Sequence, residues 1–565
     1  MHRRLSALVV ALLAFAGTAV ASGSRAAPTT PAAVVQETHI GPDYNGGRLL
    51  PFAAGGGLSE LYSSGAGRNR IGDRRKWFAL DDARGEIYLK TFVLRGKGDK
   101  VEVWVTPNLD FPAGDCRNDE RTEVTRSQIR YLIDQFDNNI YPKESRWFSR
   151  PPPRDGRNGL APAYANVGPR YFRGDGEKIV VLVDNVRDEN YYDSSNSRNL
   201  PYIIGFFYSQ FNELTDRNVL TIDGYDWIHR TRADPPHEPV ANDPCNSKPA
   251  RPFLIEETLA HEYQHLLEHY EDGDEETWLN EGLADWAQTL TGYARPARPV
   301  TELGFDRHVQ CFLGYCNQLT DYNPNPIDMG PENSLTVWRD QTSAEVLADY
   351  GAAYTFMELM SSRYGRPFMR ALHRNDLNGL DSLQQILTAT QAGTDVRTVI
   401  DDWTAMVALD DVLDDGAVLH GGEPSALMAR RLHASINWST THAFSSPGAP
   451  PNGSDYVRLR ASDGTFLTAD ALNSLEFEEL SGRDPSELTV RLVAYGQDRA
   501  EAWITRLELH ANGKSRINAQ QLSQALGTTA TTVAAIVTFH DPEELTRSYA
   551  LYRLTVNGVV QPGGS

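Results

Sequence analysis

The residues best placed for chemistry fall in one short stretch, Phe253-Leu254-Ile255-Glu256-Glu257-Thr258-Leu259-Ala260-His261-Glu262-Tyr263-Gln264-His265-Leu266-Leu267. His261 and His265 are four apart, so on a helix their imidazoles stand one turn above the other and can share one tetrahedral cation such as Zn²⁺. Glu262 projects beside them, within reach of a proton on water that such a cation acidifies. Water activated in that way is a nucleophile for a peptide carbonyl. The competing reading is a surface helix carrying two histidines by coincidence. Leu254, Leu259, Ala260, Leu266 and Leu267 argue for a buried helix instead, where two histidines and a glutamate are costly unless something pairs with them.

A catalytic zinc keeps three protein ligands and one open position. After His265 comes the acidic turn Glu271-Asp272-Gly273-Asp274-Glu275-Glu276, then Trp278-Leu279-Asn280-Glu281-Gly282-Leu283-Ala284-Asp285-Trp286. A helix here turns Leu279, Leu283 and Trp286 inward and puts Glu281 and Asp285 on a shared face. The short connection returns it antiparallel to the first helix. Glu281 then faces the histidines as third ligand, and Asp285 can accept a hydrogen bond from a ligand imidazole. The rival pattern, with Gly three and His six residues past His265, fails because Glu268 and Glu271 stand there. His269 extends the i+4 series but lies about 12 Å along the axis from His261, which suits a helix-end residue better than a ligand.

Asn280-Glu281-Gly282-Leu283-Ala284-Asp285 resembles the Asn-Glu-x-x-x-Asp element of thermolysin-like gluzincins. Trp278-Leu279-Asn280-Glu281-Gly282-Leu283-Ala284 is similar to the Trp-Leu-Asn-Glu-Gly-Phe-Ala of the aminopeptidase branch. The closest overall likeness is to the hyicolysin-type secreted bacterial metalloproteases, and it extends through Val183-Asp184-Asn185-Val186-Arg187-Asp188-Glu189-Asn190-Tyr191-Tyr192. The 15 residues between His265 and Glu281 are fewer than the aminopeptidase branch uses. The resemblance implies one catalytic Zn²⁺ on His261, His265 and Glu281, with Glu262 as general base and then acid. Asp349-Tyr350-Gly351-Ala352-Ala353-Tyr354, running on to Gly365, resembles the family's Tyr-led helix. It implies Tyr350 as oxyanion donor, with Tyr354 second, against the alternative that both are ordinary core tyrosines.

These residues need rigid elements to hold them. Helical spacing marks 125–136, 255–291 and 344–364, while 178–183 and 218–223 read as strands. Gly205-Phe206-Phe207 is either a sheet edge that pairs with an extended peptide or, preferably, an interior strand. The expected fold is an α+β zincin-like catalytic domain over 113–430, a mixed sheet with active-site helices. It is flanked by an N-terminal β-rich region at 41–112, where apolar and polar residues alternate, and a C-terminal β domain at 437–565. Residues 1–21 read as a signal peptide: Arg3 and Arg4, an apolar run, then Ala19-Val20-Ala21. An Ala/Pro/Thr-rich leader follows over 22–40.

At 565 residues the chain exceeds one hydrophobic core. Its net charge of -21, without a basic run, excludes nucleic acid as a natural partner. No segment after the signal is long enough for membrane insertion. Cys311 with Cys316, and Cys116 with Cys245, are the expected disulfides; close C-x2-C pairs for zinc are absent. The stretches 271–276 and 410–415 lack the regular oxygen spacing of a Ca²⁺ loop and read as solvated charge. Together these features predict a secreted, monomeric zinc endopeptidase acting on proteins or peptides. An exported aminopeptidase and a secreted binding protein with structural zinc are the rivals.

Overall fold

The computed structural model describes residues 36–39, 50–52, 69–165, 167–193, 201–240, 243, 245–320, 323, 326–327, 329–339, 345–439, 448–544 and 548–563. The expected signal peptide and most of the leader lie outside them. The protein is mixed α/β with several sheets.

The first sheet has seven strands: β1 (Gln36–His39), β2 (Arg74–Asp81), β3 (Glu86–Lys97), β4 (Val101–Val105), β5 (Ile179–Asp184), β6 (Pro201–Phe207) and β7 (Val219–Asp223), in the order β1-β6-β7-β5-β4-β3-β2. β5 is buried along its whole length, which its unbroken apolar run requires, and it runs parallel to both β4 and β7. β4 divides its side chains by strand period: Val101, Val103 and Val105 join the core under the helices, and Trp104 packs on Trp77 across the other face. β6 is antiparallel to β7 and carries β1 on its outer side as far as Gly205; Phe206 and Phe207 continue β6 past the last of these pairs among the described residues.

Residues 41–112, expected as a separate β-rich region, contribute β2, β3 and β4 to this same sheet. The join is the parallel pairing of β4 with β5, from Val101↔Ile179 to Val105↔Val183. Alternation within a strand reports which face is buried but not which partner lies alongside, so this long-range pairing left no mark in the local pattern.

The helices in chain order are α1 (Arg126–Gln135), α2 (Tyr141–Trp147), α3 (Ala161–Tyr164), α4 (Glu189–Tyr192), α5 (Ser209–Thr215), α6 (Trp227–Arg230), α7 (Leu254–Glu271), α8 (Thr277–Thr291), α9 (Arg307–Phe312), α10 (Val346–Tyr364), α11 (Arg366–Leu372), α12 (Gly379–Ala389), α13 (Val396–Asp414) and α14 (Ala519–Leu526). Thr125 and Gln128 close a capping box on α1, where the sequence places a helix start. α7 lies on β6 and β7, α8 packs on α7, and α10 packs on α8 and α9. α8 stops at Gly292 in the left-handed region, φ 88°.

The C-terminal part holds two four-stranded sheets. One is ordered β13 (Lys514–Asn518), β10 (Ser474–Glu479), β15 (Tyr552–Val556), β16 (Val559–Val560); the other β14 (Thr532–Phe539), β11 (Leu488–Tyr495), β12 (Glu501–Leu507), β8 (Val418–His420). β9 (Gly453–Arg458) packs beside β14. β8 pairs with β12 although it precedes the expected boundary at 437. α13 is tied to this part by buried polar contacts: Tyr456 donates to the Thr404 carbonyl at 3.1 Å, and Asp401 lies 2.9 Å from His540.

Disulfides join Cys116 to Cys245 and Cys311 to Cys316, with Cα atoms 5.4 and 4.7 Å apart. No helix among the described residues is long and apolar enough to cross a membrane. The acidic stretches are not simply solvated charge. Asp272, Glu275 and Asp410 are buried, because the start of α12 covers the α7–α8 turn and the chain around Ala429 covers Asp410. Burial pushes Asp272 up to about 6 and Glu275 up to about 9.

Candidate metal centre

The α7–α8 hairpin brings together three of the residues singled out above. One ligand atom from each of His261, His265 and Glu281 lies within 4.8 Å of the others, and all three residues are buried. Glu281 Oε2 is 3.1 Å from His261 Nε2 and 3.2 Å from His265 Nε2, and the two Nε2 atoms are 2.9 Å apart.

The outer ring nitrogens show which protonation state this arrangement favours. His261 Nδ1 lies 3.0 Å from Asp285 Oδ1, and His265 Nδ1 lies 2.7 Å from Asn280 Oδ1. Both partners are acceptors, which matches a hydrogen on each Nδ1; the Gln288 amide, 3.3 Å from His261 Nδ1, makes its shorter bond to Asp285 at 2.8 Å. Two Nε2 lone pairs and a carboxylate oxygen then converge on one point. Glu281 Oε1, also buried, has no hydrogen-bond partner among the described residues. Three electron-pair donors facing one another repel unless a cation sits between them, and two imidazoles with one carboxylate form a donor set that suits zinc.

The electrostatics agree. Burial would raise Glu281, but the two histidines outweigh it and hold the carboxyl down at about 2. Asp285 is held well below the usual carboxylate range, where His308 and His261 overcome burial. Burial would lower His261, yet its bonds to Asp285 and Glu281 push it up to about 10 in the cation-free protein. The site draws in positive charge, and without a metal it takes protons.

Glu262 is fully buried beside the triad. Burial raises its carboxyl to about 7, against the opposing pull of His261 and His265. Its Oε2 accepts the Phe207 N–H of β6 at 2.7 Å. Gly205 allows this close approach: a Cβ there would lie 2.5 Å from Thr258 Cγ2 and 3.3 Å from Glu262 Cγ, lifting α7 off the sheet.

Tyr350 and Tyr354, both fully buried on α10, have different neighbours. The Tyr350 ring lies 6.2 Å from that of His261. Tyr354 turns its hydroxyl to Thr289 Oγ1 at 2.6 Å, the role of a satisfied core tyrosine. His269 packs its ring 5.5 Å from Phe207 and takes no part in the triad.

Three partners in the site had no assigned role in the sequence reading. Asn280 holds His265, and its only signal was its place directly before Glu281. Gln288 donates to Asp285 Oδ1 at 2.8 Å, one helical turn on from it. His308 on α9 lies 3.2 Å from Asp285 Oδ2 and stacks on Tyr350. No protein-family model matches the chain, and no curated protein matches it either.

Proposed function

We propose that this chain is an exported zinc-dependent endopeptidase of the glutamate-ligand class. The observation that carries the proposal is the convergence of His261 Nε2, His265 Nε2 and Glu281 Oε2 within 3.2 Å of one another, with both Nδ1 atoms already engaged. The likeness of the α8 motif to gluzincins points the same way.

Zinc held by these three residues supplies Lewis acidity, which acidifies water and polarises a carbonyl. The remaining steps belong to the protein's own side chains. Glu262 accepts a proton from the water that adds to the peptide carbonyl carbon. The same carboxyl then gives that proton to the amide nitrogen as the C–N bond breaks, so the base is regenerated in each cycle. The Phe207 N–H holds one Glu262 oxygen at 2.7 Å and so anchors that end of the carboxylate to β6. Tyr350 offers a phenol O–H to the oxyanion formed on carbonyl addition. Asp285 and Asn280 keep His261 and His265 in the tautomers that face a cation.

Internal cleavage is preferred to removal of N-terminal residues because the sequence lacks the Gly-x-Met-x-Asn element of aminopeptidases. The two disulfides and the expected signal peptide suit an oxidising, extracellular setting. The test is digestion of a library of N-terminally blocked peptides with and without a chelator. Chelator-sensitive internal cuts support the proposal; an absence of cuts within blocked peptides removes the endopeptidase assignment.

A further inference from the structure

We propose that His308 is a positioning residue for Tyr350, the means by which α9 sets the direction of the phenol. The inference rests on the peptidase reading above. The His308 and Tyr350 rings lie 4.6 Å apart at 18°, a flat stack. Trp338 also meets the tyrosine ring edge-on, at 4.9 Å and 69°. The Tyr350 ring is thus packed against two aromatic rings and lies 6.2 Å from that of His261. A ring held in this way keeps its phenol oxygen in one place, which preorganises a donor before substrate arrives.

His308 is itself held. Its Nδ1 lies 3.2 Å from Asp285 Oδ2, and the other oxygen of that carboxylate takes His261 Nδ1 at 3.0 Å. One carboxylate therefore aligns a metal-facing imidazole and the ring stacked on Tyr350. The backbone is arranged for the same contact. A Cβ at Gly351, next to Tyr350, would lie 2.2 Å from the His308 carbonyl oxygen, so α9 crosses α10 where no side chain intervenes. Asp306 caps the start of α9 by accepting the Val309 N–H, and the Cys311–Cys316 disulfide closes its far end.

The test separates the stack from the hydrogen bond. His308→Phe keeps a flat ring and loses Nδ1; His308→Gln keeps a donor and loses the ring; His308→Ala loses both. Tyr350 positioning predicts that His308→Ala and His308→Gln lower kcat by on the order of 10- to 100-fold with KM little changed, while His308→Phe recovers most of the loss. In a Tyr350→Phe background, His308→Ala should then cost almost nothing more. If His308→Gln recovers activity and His308→Phe does not, or if His308→Ala costs the same in both backgrounds, the proposal is wrong. A second readout needs no turnover: in metal-free protein, the Tyr350 ring resonance, identified by its loss in Tyr350→Phe, should shift or broaden in His308→Ala and return in His308→Phe. An unchanged resonance in His308→Ala overturns the positioning role. Wild-type protein that cleaves no peptide overturns the peptidase reading alone, leaving the ring resonance to decide the contact.

Discussion

The Nε2 atoms of His261 and His265 lie 2.9 Å apart, while each imidazole spends its other nitrogen on an acceptor. Neither ring has a hydrogen left to place between them. In the cation-free protein the site recruits one, which is why His261 is pushed up to about 10 by Asp285 and Glu281 against the effect of burial.

Zinc should therefore displace a proton. Near pH 7.5 His261 is protonated without metal, so binding releases about one proton and apparent affinity rises with pH until about 10. Titration calorimetry in buffers of different ionisation heat should show a heat that varies with the buffer. The same binding should stabilise the fold, by about 4 kcal/mol at a thousandfold excess over Kd. A heat independent of buffer would contradict the proton account.

The bonds to Asp285 and Asn280 should show in metal affinity. Asp285→Asn replaces the acceptor of the His261 proton with a group able to donate, and Asn280→Ala removes the acceptor facing His265. Each is expected to weaken zinc about 10- to 100-fold, read by competition with a chromogenic chelator. An unaltered zinc affinity in both variants would mean that these contacts do not orient the ligands.

Gly205→Ala should test how α7 is seated. The added methyl meets Thr258 Cγ2 at 2.5 Å, so either the helix or β6 must move, and with it the 2.7 Å bond from Phe207 to Glu262. Stability should fall by about 1–3 kcal/mol. The rate should fall as well, with zinc still bound, because His261, His265 and Glu281 all sit on the packed α7–α8 hairpin and shift together, while Phe207 stays on β6. Denaturant melts and zinc analysis on one preparation measure both effects.

Glu275 makes a pH-dependent prediction about the fold. Burial, with Glu268 and Asp272 nearby, holds its carboxyl up at about 9 although it accepts N–H bonds from Gly379 and Glu276. An unfolded glutamate titrates near 4.3. Between those values the folded state keeps a proton that the unfolded chain gives up, so this group's contribution is present at low pH and is lost as pH rises toward 9. Glu275→Gln keeps an oxygen acceptor and cannot ionise. Its stability relative to wild type should grow from pH 5 to pH 8 in urea melts; a constant difference would contradict the assignment.

Much of the hairpin was legible because its logic is local. His261 and His265 need only the helical period, and Glu281 with Asp285 needs one short turn to return beside them. Asn280 stood in the motif, but its bond to His265 depends on the crossing of α7 and α8. His308 was not readable. Its place arises from α9 meeting α10 at Gly351, a contact between segments more than 40 residues apart. The union of β2, β3 and β4 with β5 was hidden for the same reason, since the chain between β4 and β5 carries no sign of which strand it returns to. The burial of Glu275 follows from α12 packing over the turn, which acidity alone does not report.

In the proposed zinc-dependent hydrolysis, Glu262 moves the proton. Its carboxylate must be ionised to act, so kcat/KM should fall as pH drops through its value, which is about 7 without cation and lower beside zinc. The most direct measurement is kcat/KM of zinc-loaded Glu262→Gln and wild type on one blocked peptide, with zinc content determined on the same samples. Equal zinc and a loss of at least about 100-fold in the variant are expected. Equal zinc with undiminished cleavage would contradict this role of Glu262.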